Sequence, residues 1–354
     1  MRVFEHAMYD EDVAYVAALS LPWDRLQDST VMISGASGMI GSFLVDVLMR
    51  RNNEYGLKCR IYALGRNTQR AKERFEYCWN HSLFNFISHD VAVPLKDTDF
   101  GKIDYVLHLA SNTHPLAYAT DPIRTITTNI LGTYNLLEFA ARHEAKRFML
   151  ASSNEIYGEN RGDVEKFDEQ YCGYIDCNTL RAGYPESKRC SEALCQAYKR
   201  QKELDVVISR LTRSYGPTLL ESDTKALSQF IHKGLAGEDI VLKSTGTQYY
   251  SYTYVSDAAS GLLTVLLKGE SGEAYNIADE GSDIMLKDLA RTVANVVGKK
   301  VVFDLPDVTE SIGYSRATKA RLDNCKLKGL GWSAKENIFS GIERTINVLK
   351  VSEH

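Results

Sequence analysis

The sequence predicts an α/β fold: a doubly wound parallel sheet followed by a smaller, mixed α/β C-terminal lobe. Three observations carry this expectation. The stretch TVMISGASGMIGSFLVDVLMRR at 30–51 reads as an apolar strand, a glycine turn and a helix. From there to about residue 214, strands alternate with helices, which implies right-handed βαβ units and a parallel sheet. Beyond about residue 215 the pattern becomes short helices and strands with the turns SGEAYN and EGSD. The expected organisation is a helical extension over 1–28, a main α/β unit over 29–214 and a second lobe over 215–354, with the chain crossing between lobes.

The elements follow in order. Val13, Val16, Ala17 and Leu19 stand loosely at helical spacing in the N-terminal extension. After the first strand and helix come CRIYALG (59–65, strand), TQRAKERFEYCWN (68–80, helix) and FNFISHDV (84–91, strand). IDYVLHLAS (103–111) and KRFMLASS (146–153) are strands on either side of the helix PIRTITTNILGTYNLLEFAARH (122–143). A further helix starts near Tyr184, and the strand DVVISRL (205–211) follows it. No internal repeat or low-complexity segment interrupts the series.

Composition narrows the function classes. With 354 residues, 44% of them apolar and 25% charged, the chain has the make-up of a soluble globular protein. A net charge of -4 gives no electrostatic footprint for nucleic acid or an anionic membrane. No apolar run approaches the length of a membrane span. The start MRVFEHAMYDEDVAYV carries acidic residues where a signal peptide needs a basic start and an apolar block. Seven cysteines without a CxxC pair, and without a nearby histidine set, point to reduced thiols in a cytoplasm and to no metal site.

The glycine turn reads GASGMIG, placing Gly35, Gly38 and Gly41 in GxxGxxG spacing between a strand and a helix. In a Rossmann-type dinucleotide-binding unit such glycines allow the tight turn and bring backbone close to a pyrophosphate at the helix N-terminus. Ser37, Met39 and Ile40 belong to the same expected cradle; a glycine-rich turn without a ligand is the plain alternative. At the end of the second strand stand Gly65 and Arg66, where an NAD-preferring site usually carries an acidic residue. Arg66 either pairs with the 2'-phosphate of NADP or is a solvated surface charge, so NAD and NADP both stay open. Asp90, with Val91 beside it, is placed to accept from an adenine amino group. Leu109, Ala110 and Ser111 end the fourth strand beside the expected cofactor.

YPESK supplies Tyr184 and Lys188, four apart and so on one helix face, with Pro185 in the first turn. A lysine ammonium beside a phenol is expected to lower the phenol's pKa from about 10. The tyrosine then takes a proton from an alcohol while hydride leaves the same carbon. Ser153 offers a hydroxyl to the same substrate oxygen. The alternative for the YxxxK pair is an exposed helix pair.

With these residues together, the chain resembles the extended short-chain dehydrogenase/reductases, the NAD-dependent epimerase/dehydratase family that acts on nucleotide sugars. The motifs are SGASGMIG, HLAS, TNILGTYNLLEFA, ASSNEIYG, YPESK, SRLTRSYGP, YTYVSDAA, GEAYNIA and KGLGW, spread over about residues 30–332. The resemblance implies that Ser153, not Ser152, is catalytic, and that Asn129 holds the fold or cofactor site. It implies oxidation at sugar C4, followed by decarboxylation as in UDP-glucuronate decarboxylases or dehydration as in 4,6-dehydratases. Glu155 matches an extra acidic residue of both groups, either a base or a ring-positioning carboxylate; a loop carboxylate is the alternative. Asn154 stands where dTDP-glucose dehydratases carry the acid that protonates the leaving hydroxyl. Arg181 matches a decarboxylase arginine placed to meet a substrate carboxylate.

Two substrate positions depart from the family pattern: Arg213 replaces an asparagine that faces the substrate, and Tyr250 replaces an arginine that binds pyrophosphate. Arg316 and Arg321 are candidates for a further C-terminal arginine. A 4-epimerase or 4-ketosugar reductase is the alternative activity, and an intact Ser/Tyr/Lys set argues against a non-catalytic dinucleotide sensor. The resemblance also implies a homodimer through a four-helix bundle built from 124–142 and 184–199.

Overall fold

A computed structural model describes residues 2–97, 100–113, 118, 120–221, 223–304 and 318–352. Its centre is a seven-stranded parallel sheet made of β1 (Thr30–Ser34), β2 (Arg60–Gly65), β3 (Phe84–Ser88), β4 (Tyr105–His108), β5 (Arg147–Ser153), β6 (Val206–Leu211) and β10 (Ala274–Ile277). The order is β10-β6-β5-β4-β1-β2-β3, so the chain runs outward from β1 to one edge and then crosses to build the other. Every neighbouring pair is parallel. Val31, Met32, Ile33, Val106, Leu107, Phe148 and Met149 are fully buried, as expected for strands covered on both faces.

One face carries α2 (Met39–Tyr55) and α7 (Val255–Lys268), with α1 (Ala7–Ala18) packed outside them. The other face carries α4 (Pro122–Arg142) and α5 (Gly183–Lys202), which lie against each other. Small residues let those two helices approach: Asn129 Nδ2 donates to Ser187 Oγ at 2.8 Å and Thr133 Oγ1 donates to Ser191 Oγ at 3.0 Å. Each face has its own apolar core. Among the described residues, no helix is long and apolar enough to cross a membrane.

The rest of the chain adds a small sheet, β11 (Asp283–Met285), β9 (Tyr249–Tyr254) and β13 (Lys319–Ala320), with β7 (Arg213–Tyr215) pairing β9 in parallel. A two-stranded piece joins β8 (Ile240–Leu242) to β12 (Val301–Phe303). α6 (Ala226–Leu235), α8 (Leu286–Val297), α9 (Cys325–Gly329) and α10 (Ile338–Ser352) complete this region.

Two sequence expectations need correction. The helix expected over 68–80 stops early: α3 spans Thr68–Arg74 and yields to a 3-10 turn at Glu76–Cys78. The aromatic run has divergent destinations, because Phe75 packs on Phe84 at 5.1 Å while Tyr77 reaches back to donate to Asp46 at 2.6 Å. In the N-terminal extension Val13, Val16 and Ala17 are buried on α1, but Leu19 lies beyond the helix end.

The N-terminal helix is held by two buried carboxylates. Asp46 of α2 accepts from Tyr9 of α1, from Arg74 of α3 and from Tyr77. Asp12 of α1 accepts from the Tyr254 hydroxyl at 2.7 Å and pairs with Arg344 of α10 at 2.9 Å. Removing one member of a buried ion pair leaves the other charge uncompensated, which costs far more than losing a surface pair. Asp46→Asn is therefore expected to lower the unfolding free energy by roughly 3–5 kcal/mol. Urea denaturation measures it, and a loss below about 1 kcal/mol would put this network in the class of surface ion pairs.

Candidate active site

Several of the candidate residues stand at or just past carboxyl ends of main-sheet strands: the glycine turn follows β1, Gly65 closes β2 with Arg66 just past it, Leu109 to Ser111 follow β4, and Ser153 closes β5. The glycine turn comes first. Gly35 has φ +69°, and a Cβ there would approach the Ala110 backbone nitrogen to 2.8 Å. A Cβ on Gly41 would strike the Gly35 carbonyl oxygen and come within 2.9 Å of Ala36 Cα. Gly38 caps α2 without any side-chain cap, so no side chain competes for the first-turn N–H groups. Ser37 lies beside Gly65, where an added Cβ would be 3.3 Å from the Ser37 hydroxyl. Met39 and Ile40 are half-buried in the first turn. This cradle, open to backbone approach and closed to side chains, fits a dinucleotide pyrophosphate.

The end of β4 is fixed to the turn by Ser34. Its hydroxyl oxygen accepts from the backbone N–H groups of Leu109 and Ala110, each at 3.2 Å, and lies 2.8 Å from His108 Nδ1. Burial, reinforced by the Lys188 charge, pushes His108 down to about 3, so it is neutral. Ser111 donates to Asn129 Oδ1 at 2.7 Å, and Asn129 in turn donates to Ser187. Asn129 thus bridges the β4 loop and α5.

The outer cofactor positions are less committed. Arg66 is exposed beyond β2. Asp90 already has a cation, since Arg124 Nη2 donates to it at 3.1 Å, and its other oxygen accepts from the Ala92 N–H at 3.0 Å. Val91 is buried, and its carbonyl accepts from Asn135 at 2.9 Å.

Strand alternation separates the two serines of ASSNEIYG. Ser152 turns to the α5 face and donates to Glu192 at 2.6 Å. The Ser153 hydroxyl oxygen accepts from the Glu155 N–H at 3.2 Å and hydrogen-bonds the Tyr184 phenol. Asn154 and Glu155 lie in a 3-10 turn, Asn154–Tyr157, that continues directly from β5. Lys188 Nζ is buried and donates to the Ala151 carbonyl at 2.8 Å. Burial lowers its amine to about 8, with Glu192 pulling the other way.

The phenol is where the sequence expectation fails. Tyr184 is pushed up to about 12, not down. Burial is the largest cause and the Glu155 charge adds to it; the Ser153 hydrogen bond, the Arg181 charge and the Tyr118 hydrogen bond oppose them without prevailing. A phenol 5% exposed loses more from desolvation than those neighbours return.

Arg181 and Glu155 meet directly, Nη2 to Oε1 at 2.8 Å. The second terminal nitrogen of Arg181, Nη1, is buried and has no hydrogen-bond partner among the described residues. The guanidinium lies 4.7 Å from the centre of the Tyr118 ring, and Tyr118 is stacked on Tyr184 with centroids 4.7 Å apart. Sequence reasoning missed Tyr118; a lone tyrosine in the segment after β4 gives no periodic or spacing signal.

Arg213 lies flat on Tyr250, 3.6 Å from the ring centre, with its own Nη1 buried and unpartnered among the described residues. Arg321 is engaged by Glu165 and stacked on Tyr249, whereas Arg316 lies outside the described residues.

A model of the NAD dependent epimerase/dehydratase family matches residues 31–278. The chain belongs to this family. It is an NAD-dependent enzyme of that kind, and the matched span runs from β1 through β10. UDP-glucuronic acid decarboxylase 6 of Arabidopsis thaliana is 33% identical over 312 residues, covering 88% of this chain and 86% of that protein. Among solved structures, dTDP-glucose 4,6-dehydratase from Streptomyces venezuelae with NAD bound aligns at a TM-score of 0.78 and 23% identity, over 90% of this chain and 96% of that one. UDP-glucose 4-epimerase from Thermotoga maritima, with UDP-glucose, aligns at 0.78 and 22% identity, over 92% and 100%.

Two outcomes are expected from this geometry. Gly41→Ala should leave far-UV dichroism intact and weaken NAD binding at least tenfold, read by fluorescence titration, because the new Cβ collides with the turn; unchanged affinity would show the turn tolerates a side chain. At about pH 10, where an ordinary phenol is half ionised, cofactor-free protein and Tyr184→Phe should show equal phenolate absorbance. An excess in the unsubstituted protein would mean that Tyr184 ionises early.

Proposed function

We propose that this enzyme oxidises a nucleotide-linked uronic acid at C4, decarboxylates the resulting β-keto acid and then returns the hydride to C4, for a net loss of carbon dioxide. One observation carries the choice among family reactions: the Arg181–Glu155 pair, layered through Tyr118 onto Tyr184, with one guanidinium nitrogen unpartnered among the described residues. A buried guanidinium N–H beside the phenol suits a substrate carboxylate, to which it would donate a charge-assisted hydrogen bond. Asn154 supports the same reading, since an amide cannot act as the acid a dehydration needs. The likeness to proteins named UDP-glucuronic acid decarboxylase adds weight.

NAD, when bound, supplies the hydride acceptor and a positive charge. The remaining work falls to the chain. Ser153 and Tyr184 hold the C4 oxygen, and Tyr184 takes its proton. With the phenol at about 12 in the free protein, positive charge has to arrive before Tyr184 becomes an effective base. Lys188, anchored to the β5 backbone, supplies part of it. Arg181 takes the sugar carboxylate and Glu155 orients the ring. The stacked Tyr118 keeps water from the phenol. Arg213, with its unpartnered nitrogen, is the candidate for the diphosphate. Arg66, exposed beyond β2, leaves room for the 2'-phosphate of NADP as well as for NAD.

We also propose a homodimer. Ile123, Leu131 and Tyr134 are 76%, 43% and 46% exposed on the outer side of α4, beside α5. A second copy of the α4–α5 face would cover them as a four-helix bundle. Light scattering is expected to give a dimer, and Leu131→Glu a monomer; a monomeric parent protein would overturn the assignment.

The reaction itself is tested with a panel of UDP-, dTDP-, GDP- and CDP-linked sugars and uronic acids, read by mass. Loss of one carbon dioxide from a uronic acid supports the proposal. Loss of one water, or an isomer of unchanged mass, would replace it by dehydration or epimerisation. In Glu155→Gln the reduced cofactor should accumulate while product formation falls about 100-fold or more. Turnover within a few-fold of the parent would return Glu155 to a loop role.

A further inference from the structure

Glu192 takes no part in the chemistry above, yet it is a nearly buried carboxylate one helical turn beyond Lys188 on the same face of α5. Its environment is fully specified. Ser152 Oγ donates to Oε1 at 2.6 Å, Arg210 Nε donates to Oε1 at 3.1 Å, and Arg210 Nη2 donates to Oε2 at 2.7 Å. Ser152 and Arg210 are register partners on β5 and β6. Arg210 is held in turn by the Tyr157 hydroxyl at 3.0 Å and the Glu169 carbonyl at 2.7 Å. One carboxylate therefore joins the helix that carries Tyr184 and Lys188 to the strand that carries Ser153.

The surroundings of Lys188 give that carboxylate a second task. β4 presents His108, which is neutral, and β5 presents the Ala151 carbonyl. Its own helix contributes Glu192 and Cys195, and the buried Cys195 thiol is itself pushed up by desolvation. Among the described residues that face the ammonium, Glu192 is the carboxylate.

We propose that Glu192 is a positioning residue, the internal counter-charge of Lys188 and the pin that fixes the catalytic helix to β5. Burial alone drives the lysine toward its neutral form, and Glu192 is the largest influence opposing this, leaving the amine at about 8. Without Glu192 the lysine would be neutral over more of the physiological range, and the phenol would lose its fixed cation. The inference rests on the proposed reading only for the catalytic role of Lys188.

A double-mutant cycle tests it without substrate. Glu192→Gln is made in the parent protein and in Lys188→Met, and thermal unfolding is followed at about pH 6.5 and about pH 9.5, either side of the lysine's titration. Loss of the Arg210 partner is common to both backgrounds and cancels. At the lower pH, Glu192→Gln should depress the melting temperature by several degrees more in the parent than in the Lys188→Met background. At the higher pH, where Lys188 is neutral, the difference should vanish. Equal destabilisation in both backgrounds at both pH values would overturn the counter-charge and leave a structural pin. Where the sugar panel has given a turnover, the alkaline limb of C4 oxidation should move to lower pH in Glu192→Gln, and Glu192→Asp should restore much of it; an unmoved limb also overturns the proposal. A cycle with the expected coupling, alongside a panel with no turnover, would uphold Glu192 as counter-charge and sink the proposed reaction instead.

Discussion

The contact between β5 and α5 is the constraint on which the rest of the molecule depends. Ser153 comes from the strand, Tyr184 and Lys188 from the helix, and about thirty residues of chain separate them. The proposed proton transfer requires hydrogen-bond distances, so on that reading strand and helix must be held firmly against each other. Two buried links do this: Lys188 to the Ala151 carbonyl, and Glu192 to Ser152 and Arg210. The packing of α4 beside α5 through Asn129, Thr133, Ser187 and Ser191 holds the helix from its flank. Each link is polar and buried, so each has one satisfactory geometry and a large penalty elsewhere.

The cost of that rigidity is a phenol made hard to ionise. The same burial that positions Tyr184 raises it, and the adjacent Glu155 raises it further. Arg181 sits between these effects, neutralising Glu155 while keeping one donor for a ligand. The site is thus electrostatically poised toward the protonated state until cationic charge enters it. In the proposed reaction this favours order: a ring that arrives before the charge would find an acid where a base is needed.

Features set by local spacing were legible in the sequence. The strand–glycine turn–helix and the YxxxK pair are such features, because turn geometry and helix periodicity leave marks a few residues long. Six of the seven strands of the main sheet were legible to within a few residues for the same reason; β10 was not, because its residues read as a turn in the second lobe and its partner β6 lies about sixty residues earlier. What was not legible depends on partners far apart in the chain. Tyr118 on Tyr184, Glu192 with Arg210, and Tyr9 with Asp46 and Arg74 leave no periodic trace, since any one of them reads as an ordinary surface residue. The direction of the Tyr184 shift also escaped, because the adjacent Lys188 is visible in sequence while the desolvation around the phenol is not. The early end of α3 followed from Tyr77 reaching back to Asp46, again a long-range demand overriding local helix preference.

The N-terminal helix has a consequence for how the chain is made. Asp12 leaves the ribosome well before its partners: Tyr254 follows 242 residues later and Arg344 332 residues later. The edge strand β10 likewise reaches the main sheet only after the intervening small sheet has been started. At translation rates of about 5–20 residues per second, Asp12 waits on the order of 20–60 seconds for Arg344 to be synthesised. During that interval α1 can settle on Asp46 through Tyr9 but has an unpaired carboxylate on its other side. α1 is therefore completed long after it is made, and a nascent chain stalled before Arg344 would present that carboxylate, with the apolar face of α1 beside it, to whatever chaperone is at hand.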